Sequence, residues 1–248
     1  SLAVYVSCND IASCGAEPVG LISTILLPAG TTEKELDTIM TQMSKAAAEL
    51  NVEIIGGHTE ITNAVNRVVV ISTVLGKITR DKLVTTSGAR PGDSIILTKW
   101  AGVEGTAIIA GEKESELVGQ VGKETVEKAK ELISSISVVK EGLIAAEFGA
   151  SAMHDVTEGG VLGALWEMAH ASDVGIVVYE HMVPIKVETL CIAKYFGIDP
   201  LKLISSGCML IACKDGEGLV EKLESSGINA AIIGKVTEDK KCLLVTPD

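Results

Sequence analysis

The chain has 248 residues, of which 47% are hydrophobic and 3% aromatic, and its formal net charge is −12. It can therefore bury a sizeable core, built mainly from aliphatic side chains, in one large domain or two of moderate size. The negative charge argues against a broad nucleic-acid-binding surface, which needs clustered Lys and Arg. It is compatible with a nucleotide bound together with a metal ion, because carboxylates hold metals.

The sequence shows no membrane span and no secretory signal. No segment has the ~20 consecutive apolar residues that a spanning helix needs, and no basic start precedes an apolar run. The six cysteines form no C-x-x-C pair, and a chain of this length does not need a disulfide framework. We therefore expect free thiols, a cytoplasmic location and no contact with a membrane.

The first third of the chain alternates helical and strand patterns. A capping box at Thr32 and Glu35 begins an amphipathic helix. Because the chain starts within an apolar rhythm and without Met, we expect further residues before Ser1 in the natural protein. In chain order the patterns predict a helix at 2–11, a strand at 21–27, the capped helix ending near 50, a short buried strand at 52–55 and a long strand at 67–75.

A turn cluster at 85–93, rich in Gly, Pro, Ser and Thr, divides the chain. It predicts an N-terminal domain of residues 1–86 and a C-terminal domain of residues 87–248. The second domain has strand patterns at 94–98, 152–153, 175–179, 208–213, 229–236 and 241–246, and helical patterns at 103–111, 122–134, 138–148, 161–169, 187–196 and 215–226. The last two strands flank a short turn and are expected to pair antiparallel. Alternation in both halves predicts a mixed α/β fold in two domains.

Asn9 and Asp10 stand at the end of the otherwise apolar first helix. A carboxylate among residues that favour burial needs a partner, and a metal ion is one option. The alternative is an ordinary exposed position on an amphipathic helix. The pattern alone favours that alternative, because charged residues are mostly at the surface.

A second polar cluster, Gly56-Gly57-His58-Thr59-Glu60, follows the short buried strand. Two glycines let a ligand approach the backbone closely, and Glu60 offers hard oxygen ligands to a metal. An ordinary glycine turn is the alternative. Ligand sites gather in loops at strand ends, so a ligand-binding loop is favoured.

A third cluster places Asp155 and Thr157 directly before Gly159 and Gly160, where an apolar helical pattern begins. Bare N–H groups at a helix start suit a phosphate. Thr157 can cap the helix or donate to an anion, and Asp155 suits Mg²⁺ or the orientation of a cationic group. The alternative is a plain N-cap followed by glycines needed for packing. Because each glycine costs ~1 kcal/mol inside a helix, two of them favour phosphate contact.

Signatures of several other enzyme classes are missing from the sequence. It contains no G-x-G-x-x-G, no H-E-x-x-H and no G-x-S-x-G. The stretch 119–124 has the wrong spacing for a phosphate loop and is interpreted as a solvated turn before a charged helix. The four histidines are scattered, and no catalytic base is assigned to them.

At the three clusters the sequence resembles the aminoimidazole ribonucleotide (AIR) synthetase superfamily. The stretches that carry the resemblance are, in order, VSCNDIASCGAEP, IIGGHTEI and HDVTEGGVLGALWEMA. Together with SVVKEGL at 137–143, they place the chain nearest the HypE-like, AIR synthetase-related proteins of hydrogenase maturation.

The resemblance implies an α/β fold of two domains: an N-terminal mixed sheet that forms a barrel across a homodimer interface, and a C-terminal α/β sandwich. It implies that ATP and Mg²⁺ bind in the cleft between the domains. ATP would phosphorylate a carbonyl-type oxygen of a small-molecule or carbamoyl-type acceptor, which is then displaced or dehydrated. A small-molecule kinase, a selenophosphate synthetase-type activity and a non-catalytic scaffold that binds a maturation partner are the alternatives.

The resemblance also implies roles for individual residues. Asp155 would be catalytic, and Asp10 and Glu60 would bind the metal. The implied nucleotide-binding residues are Asn9, Gly56, Gly57, His58, Thr59, Thr157, Gly159 and Gly160. The family's acidic, glycine-containing loop would precede Ser1, and the HypE tail that ends in an acceptor cysteine would follow Asp248. Dehydration of a carbamoyl group is therefore left open by the sequence.

Overall fold

The computed structural model describes residues 1–247. Its N-terminal part consists of helix α1 (Leu2–Ala12), strand β1 (Glu17–Leu27), helix α2 (Glu33–Glu49), strand β2 (Glu53–Ile61) and strand β3 (Val69–Lys77). The three strands form one mixed sheet in the order β2-β1-β3, in which β1 runs parallel to β2 and antiparallel to β3. The predicted order of helices and strands in this part is confirmed.

Helices α1 and α2 cover one face of the three-stranded sheet. Leu21, Ile25 and Leu27 of β1 alternate toward these helices and are buried. The predicted capping box is present: Oγ1 of Thr32 accepts from the N–H of Glu35, whose carboxylate accepts from the N–H of Thr32. A box of this kind satisfies two backbone donors that a helix start leaves open, which fixes where α2 begins.

The opposite face of this sheet, called the outer sheet face below, is apolar and exposed. It includes Ile22 of β1, Ile55 of β2, and Ile71 and Leu75 of β3, with exposed fractions of 41%, 52%, 54% and 49%. The register places Ile22 opposite Thr73 on the neighbouring strand, so these side chains belong to one continuous surface. Contiguous exposed apolar surface of this kind marks an interaction site.

The C-terminal part is built on a six-stranded sheet in the order β5-β7-β4-β8-β6-β9. Its strands are β4 (Ser94–Thr98), β5 (Ala152–Asp155), β6 (Gly175–Tyr179), β7 (Met209–Cys213), β8 (Ala230–Thr237) and β9 (Cys242–Val245). Its helices are α3 (Val103–Glu112), α4 (Glu114–Val121), α5 (Lys123–Glu131), α6 (Val139–Phe148), α7 (Gly160–Ser172), α8 (Val187–Phe196) and α9 (Gly216–Ser225). Short 3-10 turns occur at Arg80–Lys82, Thr86–Gly88, Leu132–Ser135 and Glu180–Met182.

Both faces of the six-stranded sheet are covered by helices. Ile95 and Ile96 of β4 point to opposite faces, because side chains alternate along a strand. Ile95 belongs to a core that α7 completes, whereas Ile96 belongs to a core with Leu219 and Leu223 of α9. The mixed α/β class in two parts is therefore confirmed.

Two expectations about strands are wrong. The strand predicted as short and buried at 52–55 continues to Ile61 and is largely exposed, because its parallel pairing with β1 extends past the glycines. The last two strands do not pair with each other: β8 and β9 both pair with β6, and β9 runs parallel to it. Strand β6 pairs with β8 along one edge and with β9 along the other. The short turn between β8 and β9 therefore gives no indication that β6 separates them.

One helix is additional to the sequence prediction. Residues 114–121 form α4, and Gly122, with φ of +88°, separates it from α5. The stretch interpreted as a solvated turn is therefore mostly the end of one helix and the start of the next. A left-handed backbone at glycine breaks a helix without a side-chain penalty.

The two parts of the chain contact each other through α1 and α6. Leu143 of α6 packs against the core of the N-terminal part, in which Val139 is also buried. Val84, in the segment between the two sheets, is buried in the core of the C-terminal part with Ile96, and its N–H donates to the carbonyl of Cys14, 3.2 Å away. The end of α1 is thereby held against the C-terminal part.

Two expectations from composition can be compared with the structure. The six cysteines are free thiols, as expected, and three of them are buried as small apolar side chains. None of the helices in residues 1–247 has the length and apolar character that crossing a bilayer requires.

Candidate functional site

The ends of α1 and β5 bring three carboxylates together. Asp10 lies in the last turns of α1, Asp155 is the last residue of β5, and Glu158 lies in the turn before α7. The charges of Asp155 and Glu158 both act on Asp10, and that of Glu158 acts on Asp155. These three residues, called the acid cluster below, come from both parts of the chain. The structure thus unites the first and third polar clusters of the sequence.

Burial and nearby negative charge make Asp10 and Asp155 harder to ionise. Partial burial, followed by the charges of Asp155 and Glu158, raises the pKa of Asp10 from 3.8 to about 6. The Asp155 side chain is buried, which raises its pKa, while the charge of His154 and hydrogen bonding with Ser13 act in the opposite direction. A cation bound here would relieve the repulsion between the carboxylates.

Backbone hydrogen bonds fix the turn that carries Asp155. The carbonyl of Thr157 accepts from the N–H of Gly160, 3.1 Å away, and from the N–H of Ser205, 3.3 Å away. Because these bonds tie both sides of the turn, Asp155 is presented by a rigid segment.

The two glycines before α7 have a conformational and packing explanation. Gly159 and Gly160 have φ of +81° and +62°, which side chains disfavour, and a Cβ on Gly160 would lie 2.5 Å from the carbonyl oxygen of Leu201. The N–H of Gly160 donates to Thr157, and that of Leu162 donates to Leu201. The start of α7 therefore offers fewer free donors than the double glycine suggested. Contact of these glycines with a phosphate stays a prediction.

Thr157 itself is half-buried beside the acid cluster. Within residues 1–247 its hydroxyl caps no backbone group of α7, so the cap considered from the sequence is not formed. Its assignment to the nucleotide site stays a prediction.

Asn9 anchors the end of α1 to the C-terminal part. Its side chain is 1% exposed, with Nδ2 donating to the carbonyl of Ile136 and Oδ1 accepting from the N–H of Val138, both at 2.8 Å. Asn9 therefore sets the position of its neighbour Asp10. Direct contact between Asn9 and a nucleotide stays a prediction.

The second sequence cluster lies within the edge strand β2, which corrects the expectation of a loop. His58 and Glu60 are exposed, with Nε2 and Oε2 3.4 Å apart. In residues 1–247 no hydrogen bond or ion pair joins the segment 56–60 to the acid cluster. The metal-binding role of Glu60 and the nucleotide-binding roles of Gly56, Gly57, His58 and Thr59 stay predictions.

A cavity of about 200 Å³ lies beside this strand, between β2 and α2. Met40 and Met43 of α2 line it together with residues 56–59. Gly57 is required by close packing, since a Cβ there would lie 2.1 Å from the carbonyl oxygen of Ser23. Gly57 thus lets β2 approach β1 closely, and an accessible cavity lies on the helix side.

The acid cluster fits Mg²⁺ only if some of the ligands come from elsewhere. Among residues 1–247, no group of three His, Cys, Asp or Glu side chains is placed to hold a metal by itself. Mg²⁺ usually keeps several waters and binds one or two carboxylates together with substrate phosphates. Asp10 and Asp155, which burial and like charge make harder to ionise, suit such a shared site.

Two residues of this site were not assigned from the sequence. Ser13 donates to the carbonyl of Asp10, 2.8 Å away, and its side chain also acts on Asp155. Glu158 supplies the third carboxylate. The spacing of three residues between Asp10 and Ser13 places them on one helix face, and this was the signal available for Ser13.

Two family descriptions match the chain. The N-terminal domain of AIR synthase related proteins matches residues 1–78, and their C-terminal domain matches residues 90–245. The two matches together cover most of the chain.

Curated relatives match nearly the whole chain. A hydrogenase expression/formation protein of Methanocaldococcus jannaschii is 30% identical over 98% of this chain and 72% of the relative. Carbamoyl dehydratase HypE of Cupriavidus necator is 28% identical over 96% of this chain and 68% of the relative. A thiamine-monophosphate kinase of Pyrococcus horikoshii is 29% identical over 95% of this chain and 70% of the relative.

Solved structures share the fold. HypE of E. coli superposes with a TM-score of 0.85 and 26% identity, over 98% of this chain and 74% of that one. A chain of the HypE–HypF complex superposes with a TM-score of 0.83 and 25% identity, over 99% of this chain and 80% of that one. HypE in complex with ATP gives 0.81 and 24%, over 99% and 75%. The chain therefore belongs to the AIR synthase related protein family.

Proposed function

We propose that the chain is a HypE-like enzyme of hydrogenase maturation, which uses ATP to activate a carbonyl-type oxygen. The acid cluster carries this proposal, because it joins carboxylates of both parts of the chain, and burial together with nearby negative charge raises the pKa values of Asp10 and Asp155. The relatives named for hydrogenase expression and for carbamoyl dehydration supply the acceptor class, a carbamoyl group. HypE with bound ATP supplies the phosphoryl donor.

In this proposal Asp10 binds Mg²⁺ together with the phosphates of ATP. The ion, when bound, neutralises negative charge on the phosphoryl group in transfer. Asn9 holds Asp10 in place, since both of its hydrogen bonds tie α1 to the segment before α6. Glu60 and the segment 56–59 form the nucleotide wall of the N-terminal part, and Thr157, Gly159 and Gly160 form that of the C-terminal part.

We assign the proton-accepting role to Asp155. When the carbamoyl oxygen bonds to the transferred phosphorus, ADP leaves and the amide nitrogen must release a proton. The later departure of phosphate with the former carbamoyl oxygen releases the second proton and forms a nitrile. Burial raises the pKa of Asp155, which makes it a better proton acceptor at neutral pH than an exposed Asp.

We also propose that the outer sheet face forms a homodimer, as a shared barrel of strands. Ile22, Ile55, Ile71 and Leu75 are exposed there, and burying such side chains is worth ~25 cal/mol per Å². A maturation partner protein that delivers the acceptor is proposed by analogy with the HypE–HypF complex.

The test is ATP turnover with Mg²⁺ by the natural full-length protein, supplied with a carbamoylated acceptor and followed by product analysis. We expect ADP, phosphate and a dehydrated acceptor. Asp10→Ala and Asp155→Ala should each lower turnover by about 10²–10³-fold. Asp37→Ala, on an exposed position of α2, is the matched control for the loss of one carboxylate.

Different products would separate the alternatives. If the product is a stable phosphorylated acceptor, the reaction is that of a small-molecule kinase and not a dehydration. The thiamine-monophosphate kinase relative is an example of such an enzyme. Full activity of both Asp10→Ala and Asp155→Ala would refute the assignment of the site. If the protein binds a maturation partner but turns over no ATP, the non-catalytic scaffold is favoured.

A further inference from the structure

Lys99, directly after β4, has an unusual backbone. Its φ of +53° lies in the left-handed region, which costs a residue with a side chain on the order of 1–3 kcal/mol unless the surroundings impose it. The N–H of Lys99 donates to the carbonyl of Asn229, 2.7 Å away. This conformation accompanies a side chain that runs into the interior, where it is 12% exposed.

The Lys99 ammonium is surrounded by three oxygens. Nζ donates to the carbonyls of Ser135, at 2.9 Å, and Ser137, at 2.5 Å. Oε1 of Glu141 lies 2.6 Å from Nζ but off the hydrogen-bonding direction, so that contact is held by charge. The Glu141 side chain is 3% exposed, and a pair buried to this extent contributes little net stability. The role of the Lys99–Glu141 pair is therefore better inferred from the positions that it fixes than from its contribution to stability.

The two carbonyls belong to the segment 135–138, which is held on its other side by Asn9. Lys99 binds the carbonyls of Ser135 and Ser137, whereas Asn9 binds the carbonyl of Ile136 and the N–H of Val138. The segment thus connects Lys99 to the residue that precedes Asp10. A displacement of the segment must move the end of α1.

The same network reaches the other half of the acid cluster. Burial raises the pKa of the Cys208 thiol to about 12, and the charges of Lys99, Glu141 and Asp155 all act on this thiol. Cys208 is therefore near both the Lys99 pair and Asp155. Its carbonyl also accepts from the N–H of Val156, 3.1 Å away, directly after Asp155.

We propose that Lys99 is a positioning residue for the acid cluster: by fixing the segment 135–138, it sets Asp10, through Asn9, opposite Asp155. Lys99 does not touch the acid cluster and acts only through these contacts. The consequence for catalysis rests on the ATP-dependent function proposed above. The contact chain itself is independent of that function.

The decisive variant is the double substitution Lys99→Met with Glu141→Gln, which removes the ammonium without leaving an unpaired buried charge. We expect kcat for ATP turnover by the full-length protein to fall about tenfold, because small misplacements of catalytic groups are costly. The KM for ATP should rise only a few-fold, because Asp10 shares Mg²⁺ with the ATP phosphates while β2 and the cavity beside it are untouched. Amide hydrogen exchange should become about tenfold faster at the end of α1, while exchange in β7 stays unchanged.

Two further variants separate the contributions. Glu141→Gln alone keeps both carbonyl bonds of Lys99 and should retain turnover and α1 protection within about twofold. Lys140→Met removes the neighbouring lysine, whose Nζ donates at the surface to the carbonyl of Ser226, and should change neither readout.

Several results would overturn the proposal. If amide exchange at α1 is unchanged in the double variant, the contacts from Lys99 to α1 do not hold the helix. If exchange at α1 is faster but kcat is unchanged, Lys99 is not a positioning residue for catalysis. If exchange also becomes faster throughout β7, Lys99 stabilises the fold as a whole and does not specifically position α1. If the parent protein turns over no ATP, the proposed function fails, and the exchange experiment alone decides whether Lys99 holds α1.

Discussion

At the scale of single residues, the carboxyl group of Asp10 gives the clearest link between structure and pH. Partial burial and the charges of Asp155 and Glu158 raise its pKa from 3.8 to about 6. At a pH between 3.8 and about 6, Asp10 is protonated in the folded chain but has released its proton in the unfolded chain. The free energy of unfolding therefore falls as pH rises from about 4 to 6. Above pH 6 the ionised Asp10 carboxylate destabilises the folded chain to the full extent.

Asp10→Asn should remove this cost. In EDTA at pH 7.5 we expect the variant to be more stable than the parent by about 1 kcal/mol, because solvent screening reduces the effect of a half-exposed group. At pH 4 the two proteins should be equally stable. The measurement is urea unfolding at both pH values. A stability gain of the same size at pH 4, or an equal gain from Asp37→Asn on α2, would attribute the effect to net charge instead.

Gly160 tests the packing explanation of the double glycine. Gly160→Ala should lower the free energy of unfolding by about 2–4 kcal/mol, because the new Cβ would lie 2.5 Å from the Leu201 carbonyl oxygen at φ of +62°. Gly111→Ala is the matched control: beyond its chain neighbours and the backbone of its own helix, no atom of residues 1–247 lies within 4 Å of its Cβ position in α3. That control should gain about 0.5–1 kcal/mol. Equal effects at the two glycines, measured by urea unfolding, would contradict the explanation.

At the scale of elements, strand β2 depends on a glycine for its pairing. A Cβ at Gly57 would lie 2.1 Å from the Ser23 carbonyl oxygen, whereas a Cβ at Gly56 would meet no described atom within 4 Å beyond its chain neighbours. We expect Gly57→Ala to separate β2 from β1, to accelerate amide exchange in β2 and to lower Tm by about 4–8 °C. Gly56→Ala should leave the exchange of β2 close to that of the parent. Protected β2 amides in Gly57→Ala would show that the strand pair tolerates the side chain.

The elements that local patterns specify were predictable from the sequence. The capping box at Thr32 and Glu35 fixes the start of α2 through contacts only three residues apart, and stretches rich in Leu, Ile and Thr identify β1 and β4. Strand order was not predictable, because β6 takes both β8 and β9 as neighbours through backbone bonds that carry no side-chain signature. The same reason hid the extension of β2 through its glycines.

The site was predictable in part. The meeting of Asp10 with Asp155 follows from the family motifs, but the sequence did not show why Asp10 is held there. Asn9 bonds residues 127 and 129 positions away, and Lys99 acts on the same distant segment. Single-sequence patterns report neighbours along a helix or strand, so contacts of this range leave no mark in them.

At the scale of the whole molecule, the outer sheet face distinguishes the two parts of the chain. The six-stranded sheet has helices on both faces, whereas the three-stranded sheet is covered on one face only. Two copies that meet through this face would bury apolar side chains that each copy exposes alone. The acid cluster involves α1, which packs on the covered face of the same sheet, so a change at the dimer interface would be transmitted to the site through one layer of strands.

Ile71→Glu should convert a dimer into a monomer. Light scattering of the parent should give twice the chain mass of 25.8 kDa, and the variant should give the mass of one chain, because a desolvated, unpaired carboxylate at the centre of an apolar interface is costly. Val187→Glu is the matched control, since Val187 on α8 is 67% exposed but lies outside this face; it should remain dimeric. Unchanged circular dichroism would exclude unfolding as the cause. A parent that is monomeric at every concentration, or a dimer that survives Ile71→Glu, would rule out this face as the interface and leave its exposed isoleucines to another partner.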